Sequence, residues 1–321
     1  MMARSMWRPG LATLVFVVAA ALTRPAHAGR RPGSDACEAT SEAALRFCRA
    51  GVQSDKWLAL GKCANLPDPA EVKACNREAI AATRDALQGC KDEDDLRDAV
   101  CARLGPVPYA PVVDATRFTR STTIDNPYYP LVPGTTFVYE GQVTEEPSGF
   151  EHVEFTVTHE TRVIQGVTCV EVHDLRKLNG VVLEDTRDWF AQDDDGNVWY
   201  FGENTTLVDR GLPVDLSGTW TAGVDGAQAG IIMEAHPALG DFYRQEFLLG
   251  EAEDLAEVTG LDDSVTVPFG AFDHCLKTTE SAPIAPGDVS DKFYVAGVGN
   301  LLTVEPNGDR SELVQITREV P

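Results

Sequence analysis

The chain has 321 residues and carries 27 Lys and Arg against 50 Asp and Glu, which gives a formal net charge of −23. This excess of negative charge argues against electrostatic binding to nucleic acid. A hydrophobic fraction of 43% and a charged fraction of 24% are ordinary for a globular protein and argue against a disordered chain.

The first 28 residues have the three parts of a secretory signal peptide. Arg4 and Arg8 precede an apolar run over residues 11–22, and residues 26–28 read Ala-His-Ala, a small-x-small cleavage pattern. The run is shorter than the roughly 20 residues that a membrane-spanning helix needs, and no later segment approaches that length. We therefore expect residues 1–28 to be removed, the mature protein to be secreted or periplasmic, and no membrane span.

Residues 29–105 predict a small helical unit that is stapled by disulfides. Six of the eight cysteines lie here, in a segment rich in Ala, Leu, Glu, Arg and Lys. Their steps of 11, 15, 12, 15 and 11 residues suit two helices folded back on each other. Nested pairing would join Cys37 to Cys101, Cys48 to Cys90 and Cys63 to Cys75. Other connectivities of these cysteines stay open, and zinc is the weaker interpretation because no C-x-x-C pair occurs.

The turn between these helices is predicted at Pro67 and Pro69. Asp68 has the residue type of an N-cap, and proline is favoured at the first position of a helix. Gly51 and Gly61 predict breaks in the first helix, since glycine is a poor helix former.

Residues 106–134 form a Pro-rich linker and lead-in segment, and residues 135–321 predict an antiparallel β domain. The charge distribution changes at this boundary, because residues 29–105 hold 12 basic and 13 acidic side chains whereas residues 106–321 hold 12 basic and 37 acidic ones. Within residues 152–157 polar and apolar side chains alternate, as in a half-buried strand. Similar short runs follow with turn signals between them and no long amphipathic helix, which indicates a sandwich or barrel.

A β-hairpin is predicted where two aromatic runs flank the turn in WFAQDDDGNVWYFG. The alternation of Asp193, Asp195 and Asn197 also suggests a weak candidate site for Ca²⁺. The sixth and twelfth positions of such a loop lack the Gly and Glu of the helix-loop-helix calcium pattern. We favour the turn, and we predict no other cofactor.

Five stretches carry a resemblance to a family of secreted bacterial proteins whose activity is uncharacterised. They are NPYYPLVPGTTFVYEG, EDTRDWFAQDDDGNVWYFGE, AGVDGAQAGIIM, YRQEF and SVTVPFGAFDHCLKT, and the resemblance extends over roughly residues 112–318. More loosely, the chain resembles exported proteins with curved antiparallel half-barrels, comparable to lipoprotein carriers. The resemblance implies a fold that is mainly β, a curved antiparallel open barrel or sandwich, preceded here by the small disulfide-stapled α-helical segment.

Two further cysteines, Cys169 and Cys275, fall in predicted strands. Alternation places each on the more polar face of its strand, and an even number of cysteines in an exported chain favours pairing. We therefore expect a disulfide between them. A catalytic thiol at Cys169 is the competing interpretation.

The most concentrated polar group lies in the predicted strand VVLEDTRDWF. Alternation places Asp185 and Arg187 on one face and Glu184 and Asp188 on the other. Charges on both faces suggest that one set lines a concave surface. The candidate ligand-binding residues are Glu184, Asp185, Arg187, Asp188, Trp189, Trp199, Tyr200, Glu203, Arg244 and Glu246. Salt bridges that fix the strand register are the alternative explanation.

Catalytic signatures are absent, since no G-x-S-x-G, Walker or dinucleotide-binding motif occurs. We hypothesise an exported, non-enzymatic protein that binds a small or amphiphilic ligand in a concave β domain. One alternative is a secreted hydrolase or lyase that uses Glu184 and Asp188 as a carboxylate pair. Another is an acidic surface or assembly protein that binds divalent cations or a partner.

Overall fold

A computed structural model describes residues 35–319 of the protein. The predicted signal peptide lies outside the described residues. Two long helices come first, a connecting segment follows, and fifteen strands form the remainder.

The helices form a hairpin whose ends are set by the sequence. Helix α1 spans Ala36–Ala64 and helix α2 spans Pro69–Leu104. Asp35 caps α1 by accepting the backbone N–H groups of Cys37 and Glu38, and Asp68 caps α2, as predicted. Among residues 35–319, neither helix combines the length and the apolar character that crossing a bilayer requires.

Three nested disulfides join the two helices, and the predicted connectivity is confirmed. They link Cys37 to Cys101, Cys48 to Cys90 and Cys63 to Cys75, with Cα–Cα distances of 5.5–5.7 Å. Disulfides of this kind are consistent with an extracytoplasmic protein. The predicted breaks at two glycines are wrong, since α1 runs through both. A glycine costs a helix only about 1 kcal/mol, which is small beside the constraint of three covalent links.

The fifteen strands are paired antiparallel throughout, which confirms the predicted fold class. In chain order they are β1 Thr135–Val143, β2 Gly149–Ile164, β3 Val167–Leu178, β4 Val181–Gln192, β5 Val198–Asp209, β6 Leu212–Asp215, β7 Trp220–Thr221, β8 Gln228–Met233, β9 Phe242–Arg244, β10 Glu246–Phe247, β11 Leu255–Val267, β12 Gly270–Ser281, β13 Val289–Val295, β14 Gly299–Val304 and β15 Arg310–Arg318. Their order across the sheet is β10-β8-β5-β4-β3-β2-β1-β15-β14-β13-β12-β11-β9, and β6 and β7 also pair with β5.

The sheet is open, but its two edges are brought together by one short segment of chain. Strand β9 pairs with β11 at one edge and β10 pairs with β8 at the other, and only Gln245 separates β9 from β10. The backbone here passes so close to β8 that a Cβ atom on Gly230 would lie 2.3 Å from the Gln245 carbonyl oxygen. We call residues 242–247 the bridge segment. It curls the sheet, so that one face becomes the inner, concave one.

Helix α2 attaches the hairpin to the β domain through buried and half-exposed ion pairs. The guanidinium of Arg97 contacts the Glu253 carboxylate at 2.8–3.2 Å, and both side chains are at least 95% buried. Arg103 pairs with Glu257 at 2.6 Å and lies over the ring of Phe242. The hairpin is thereby fixed beside the bridge segment.

The predicted disulfide between Cys169 and Cys275 is wrong, because both side chains are free thiols. Cys169 lies on β3 and Cys275 on β12, and five strands separate these two in the sheet. Both residues are fully buried within the hydrophobic core. Alternation predicted that the two side chains lie on polar strand faces, but other parts of the chain cover these faces and bury both thiols.

Burial should make both thiols unreactive in the folded protein. It raises the pKa of Cys169 to about 12 and also raises that of Cys275, so little thiolate forms near neutral pH. We expect a thiol-specific reagent to label neither cysteine in the native protein and both in the denatured, unreduced protein. A Cys169→Ser variant should then lose one of the two labels. Denatured, unreduced protein without any reactive thiol would contradict the structure.

Candidate functional site

The concave face of the sheet encloses a cavity of about 720 Å³. Ile232 on β8 and Lys292 on β13 both line it, although seven strands separate β8 from β13, so the cavity exists only because the sheet curls. Much of its wall is apolar and aromatic, supplied by Tyr129, Leu131, Phe137, Tyr139, Val153, Phe155, Leu178, Leu183, Ile284, Tyr294 and Val298. A volume and lining of this kind are typical of small-molecule sites.

A β-bulge in β5 brings a carboxylate and a tyrosine to the same side of the sheet. The register between β4 and β5 shifts at Trp189 and Phe190, so that Glu203 lies opposite Asp188 and Tyr200 lies opposite Phe190. Strict alternation would put residues 200 and 203 on opposite faces. Gly202 permits the bulge, since its φ is +143° and a Cβ atom there would lie 2.5 Å from the Trp220 carbonyl oxygen.

Buried carboxylates gather beside the bridge segment in a small side chamber of about 30 Å³. The chamber shares Glu184, Ile232 and Lys292 with the main cavity, so the two are neighbours. Its acidic lining residues are Glu184, Glu203, Glu246, Asp254 and Glu280, and the basic residue that lines it is Lys292.

Hydrogen bonds hold several of these carboxylates in place. The Tyr200 hydroxyl donates to Asp188 Oδ1 at 2.7 Å, and the Trp220 indole N–H donates to Glu246 Oε2 at 2.6 Å. The Lys292 Nζ atom lies 2.7 Å from Glu280 Oε2. Glu184 accepts from the Thr186 hydroxyl through Oε1, whereas its buried Oε2 has no hydrogen-bond partner within the described part of the chain.

Burial shifts the pKa values of this group strongly. Loss of solvation, reinforced by neighbouring carboxylates, raises the pKa of Glu203 to about 8 and that of Asp174 to about 7. The same causes raise the pKa of Asp188 and Glu246 well above the usual range. Glu280 behaves in the opposite way. Burial acts to raise its pKa, but the charge of the adjacent Lys292 ammonium and the hydrogen bonds from Lys292 and Thr278 together lower it. The site therefore holds several carboxyl groups that keep their protons near neutral pH.

The structure divides the candidate ligand-binding residues between two faces. Glu184 lines the cavity, and Tyr200, Glu203 and Glu246 line the side chamber beside it. Asp188 lies on the same side, opposite Glu203.

The remaining candidates lie elsewhere. Asp185 pairs with His173 at 3.0 Å on the outer face, where Arg187 lies 3.9 Å from Glu171. Trp189 is on the outer face too, below the Arg162 guanidinium at 4.1 Å, and Trp199 packs against Phe118 of the lead-in segment.

Arg244 also lies outside the cavity. Its guanidinium lies over Tyr109 and Phe247, in the region where helix α2 meets the β domain. The bend at Gln245 explains this, since it breaks the alternation that would have put Arg244 beside Glu246.

The hairpin turn between β4 and β5 is confirmed. Asp193 accepts the Asn197 backbone N–H at 2.8 Å and the Trp199 indole N–H at 2.8 Å, and Gly196 has a φ of +97°. Asp195 pairs with Arg117 at 2.6 Å. Within residues 35–319, the acidic side chains that come close enough to share an ion are Asp94, Asp95 and Asp98 on α2.

Sequence reasoning missed most of the charged residues of the site, among them four on strands β3, β12 and β13. Asp174 and Arg176 line the cavity from β3 and Lys292 lines it from β13, while its partner Glu280 lines the side chamber from β12. A signal was present, because all four occupy alternate positions with apolar or aromatic side chains such as Val172 and Tyr294. Charged residues at inward positions of a strand are rare enough to indicate a site or a buried pair.

The proposed catalytic pair is poorly placed. Glu184 and Asp188 are four residues apart on one strand, about 13 Å along the backbone at the usual rise. Glycosidase carboxylates lie about 5–9.5 Å apart. The closer carboxylate pair is Asp188 with its cross-strand neighbour Glu203.

No protein-family model matches the sequence, and no curated protein matches it. Among solved structures, the chain is similar to a putative lipoprotein from Parabacteroides distasonis ATCC 8503. The two share 12% sequence identity with a TM-score of 0.33, and the match covers 60% of this chain and 99% of that one. This similarity is distant.

Proposed function

We propose that this protein binds a small amphiphilic molecule in the concave cavity of its β domain and acts as a binding protein rather than an enzyme. The observation that carries the proposal is the cavity of about 720 Å³, which falls within the usual range of about 300–1,000 Å³ for ligand sites.

The distribution of side chains supports an amphiphile in particular. Phe137 on β1 and Val153 and Phe155 on β2 form a continuous apolar wall, since Phe137 and Phe155 are cross-strand partners with ring centroids 6.2 Å apart. Glu184 and Lys292 lie where the cavity meets the side chamber. A molecule with an apolar chain and one polar headgroup would match both parts.

Filling the apolar wall should abolish binding. We expect the neutral, solvatochromic dye Nile red to bind the wild-type protein with a blue-shifted emission. A Val153→Trp variant should weaken that binding by about tenfold or more, equivalent to about 1.4 kcal/mol, because the indole would occupy the cavity. The matched control is Val163→Trp on the same strand, where the side chain is 66% exposed and does not line the cavity.

Fluorescence titration of the three proteins distinguishes the outcomes, with circular dichroism to confirm that each is folded. Equal dye affinity in all three would place the dye outside the cavity and contradict the proposal. A folded wild-type protein that binds no dye would contradict it as well.

A further inference from the structure

We infer that the cavity selects amphiphiles with a cationic headgroup, such as an alkylammonium, over anionic and neutral ones. This inference rests on the proposed function and names the ligand class for the same cavity.

The first argument is the balance of charge. Among residues 35–319, eight acidic side chains line the cavity against three basic ones. Each of the three is already paired within the chain, Arg176 with Glu151 at 2.6 Å, Lys292 with Glu280 at 2.7 Å and Arg310 with Glu312 at 2.7 Å. An anionic headgroup would have to compete with these carboxylates for every cation in the lining.

The second argument is an unsatisfied acceptor. Glu184 is 91% buried, yet its Oε2 atom receives no hydrogen bond from any of residues 35–319. Its cross-strand neighbour Arg176 directs its Nε atom to Glu151 instead. Leaving a buried carboxylate oxygen without a donor is costly. An ammonium group on a ligand would supply both the missing donor and the missing charge.

The third argument is the aromatic lining. Tyr129, Tyr139 and Tyr294 line the same cavity as Glu184, and the rings of Tyr129 and Tyr294 lie 6.5 Å apart. Aromatic faces attract alkylammonium groups through their quadrupoles, most strongly where water is excluded. They offer no comparable attraction to a sulfate or carboxylate headgroup.

The protonation state of the cavity adds a measurable signature. Burial raises the pKa of Asp174 to about 7, with help from Glu184, and burial also raises that of Glu184. Six other charged or titratable groups interact electrostatically with Asp174, with Glu184 or with their neighbours. They are Tyr139 on β1, Glu151 on β2, Arg176 on β3, Asp188 on β4, Lys292 on β13 and Glu305 after β14. A bound cation favours the ionised carboxylates, so binding should release protons and tighten as the pH rises through about 7.

The test is displacement of Nile red by three amphiphiles that share a dodecyl chain and differ in headgroup: dodecylammonium, whose N–H groups can donate to Glu184, dodecyl sulfate and dodecyl maltoside. All are used below their micelle-forming concentrations. We expect the ammonium compound to displace the dye at a concentration about tenfold or more below that of the other two. Its advantage should grow as the pH is raised.

Variants of the full chain assign the selectivity to Glu184. A Glu184→Gln variant should lose most of the preference for the ammonium compound over the maltoside. Asp174→Asn provides a second variant if Glu184→Gln does not fold. The control is Glu160→Gln on β2, where the side chain is exposed and outside the cavity.

The failure of this inference is distinguishable from that of the proposed function. Equal or tighter displacement by dodecyl sulfate or dodecyl maltoside would overturn the selectivity for cations and leave ligand binding intact. An unchanged preference in a folded Glu184→Gln or Asp174→Asn variant would also overturn it. Wild-type protein that binds neither the dye nor any of the three amphiphiles would overturn both.

Discussion

Replacing Lys292 by Met should destabilise the protein by about 3–5 kcal/mol near neutral pH, the usual cost of removing one member of a buried ion pair. Lys292 and Glu280 are 93% and 98% buried. The Lys292 ammonium keeps the pKa of Glu280 low, and Tyr294 and Thr278 donate further hydrogen bonds to the same carboxylate. Without the ammonium, a carboxylate would remain buried beside other acidic groups.

Urea unfolding followed by tryptophan fluorescence measures this loss. The control is Lys91→Met, which removes an exposed ion pair with Asp95 on α2 and should cost about 0.5 kcal/mol or less. The double variant Lys292→Met/Glu280→Leu should recover much of the loss, since both charges are then absent. A loss below about 1 kcal/mol for Lys292→Met would show that the pair is not buried as described.

Stability should fall as the pH rises from about 5 to about 8.5. Glu203 and Asp174 have folded pKa values of about 8 and about 7, far above the usual values of 4.5 and 3.8. In this range the native state binds more protons than the unfolded state, so the slope of unfolding free energy against pH is negative. Each unit of pKa difference is equivalent to about 1.4 kcal/mol. Between about pH 5 and about 8.5 the two groups together reduce the unfolding free energy by about 7 kcal/mol. For a chain of this size, that corresponds to a drop in melting temperature of about 10–15 °C.

Two other groups define the limits of this effect. The pKa of His173 is lowered by burial and by Arg187. Its contribution to the unfolding free energy therefore increases as the pH rises through about 6.5, which weakly opposes the effect of the carboxyl groups. Glu280 has a lowered pKa, so its contribution is lost as the pH falls below about 4.5. We therefore expect maximal stability near pH 5, at about the lower end of the range.

A Glu203→Gln variant isolates the cause. The amide resembles the protonated acid, so this variant should match the wild-type melting temperature at pH 5 and exceed it at about pH 8.5. The exposed Glu160→Gln should follow the wild-type curve at both values. Calorimetry across the range decides the matter, and a wild-type melting temperature that rises with pH would contradict the assigned pKa directions.

Local patterns in the sequence were sufficient to predict most helices and strands and the fold-back of the two N-terminal helices. The steps between cysteines suit two helices folded back on each other, so the nested pairing of Cys48 with Cys90 and its two companions could be proposed from spacing, while the structure decided it among the open connectivities. Alternation likewise separated Glu184 from Asp185 correctly, because a regular strand has a fixed period of two. The faces of a strand depend on residues that are close in sequence, and the disulfide pairing depends on a single reversal of the chain between two helices.

The composition of the site was decided by tertiary structure, where local periodicity fails. The bulge at Gly202 places Tyr200 and Glu203 on one face, and the bend at Gln245 sends Arg244 to the helices and Glu246 to the side chamber. Alternation also could not show which other segments cover a strand. Cys169 was therefore predicted to form a disulfide, although it is a free thiol in the hydrophobic core. By itself the sequence determined the helices, the strands and the faces of regular strands. Only the curled sheet, closed by the bridge segment, brought Lys292 and Ile232 to one cavity and forced carboxyl groups from distant strands to share a poorly solvated space.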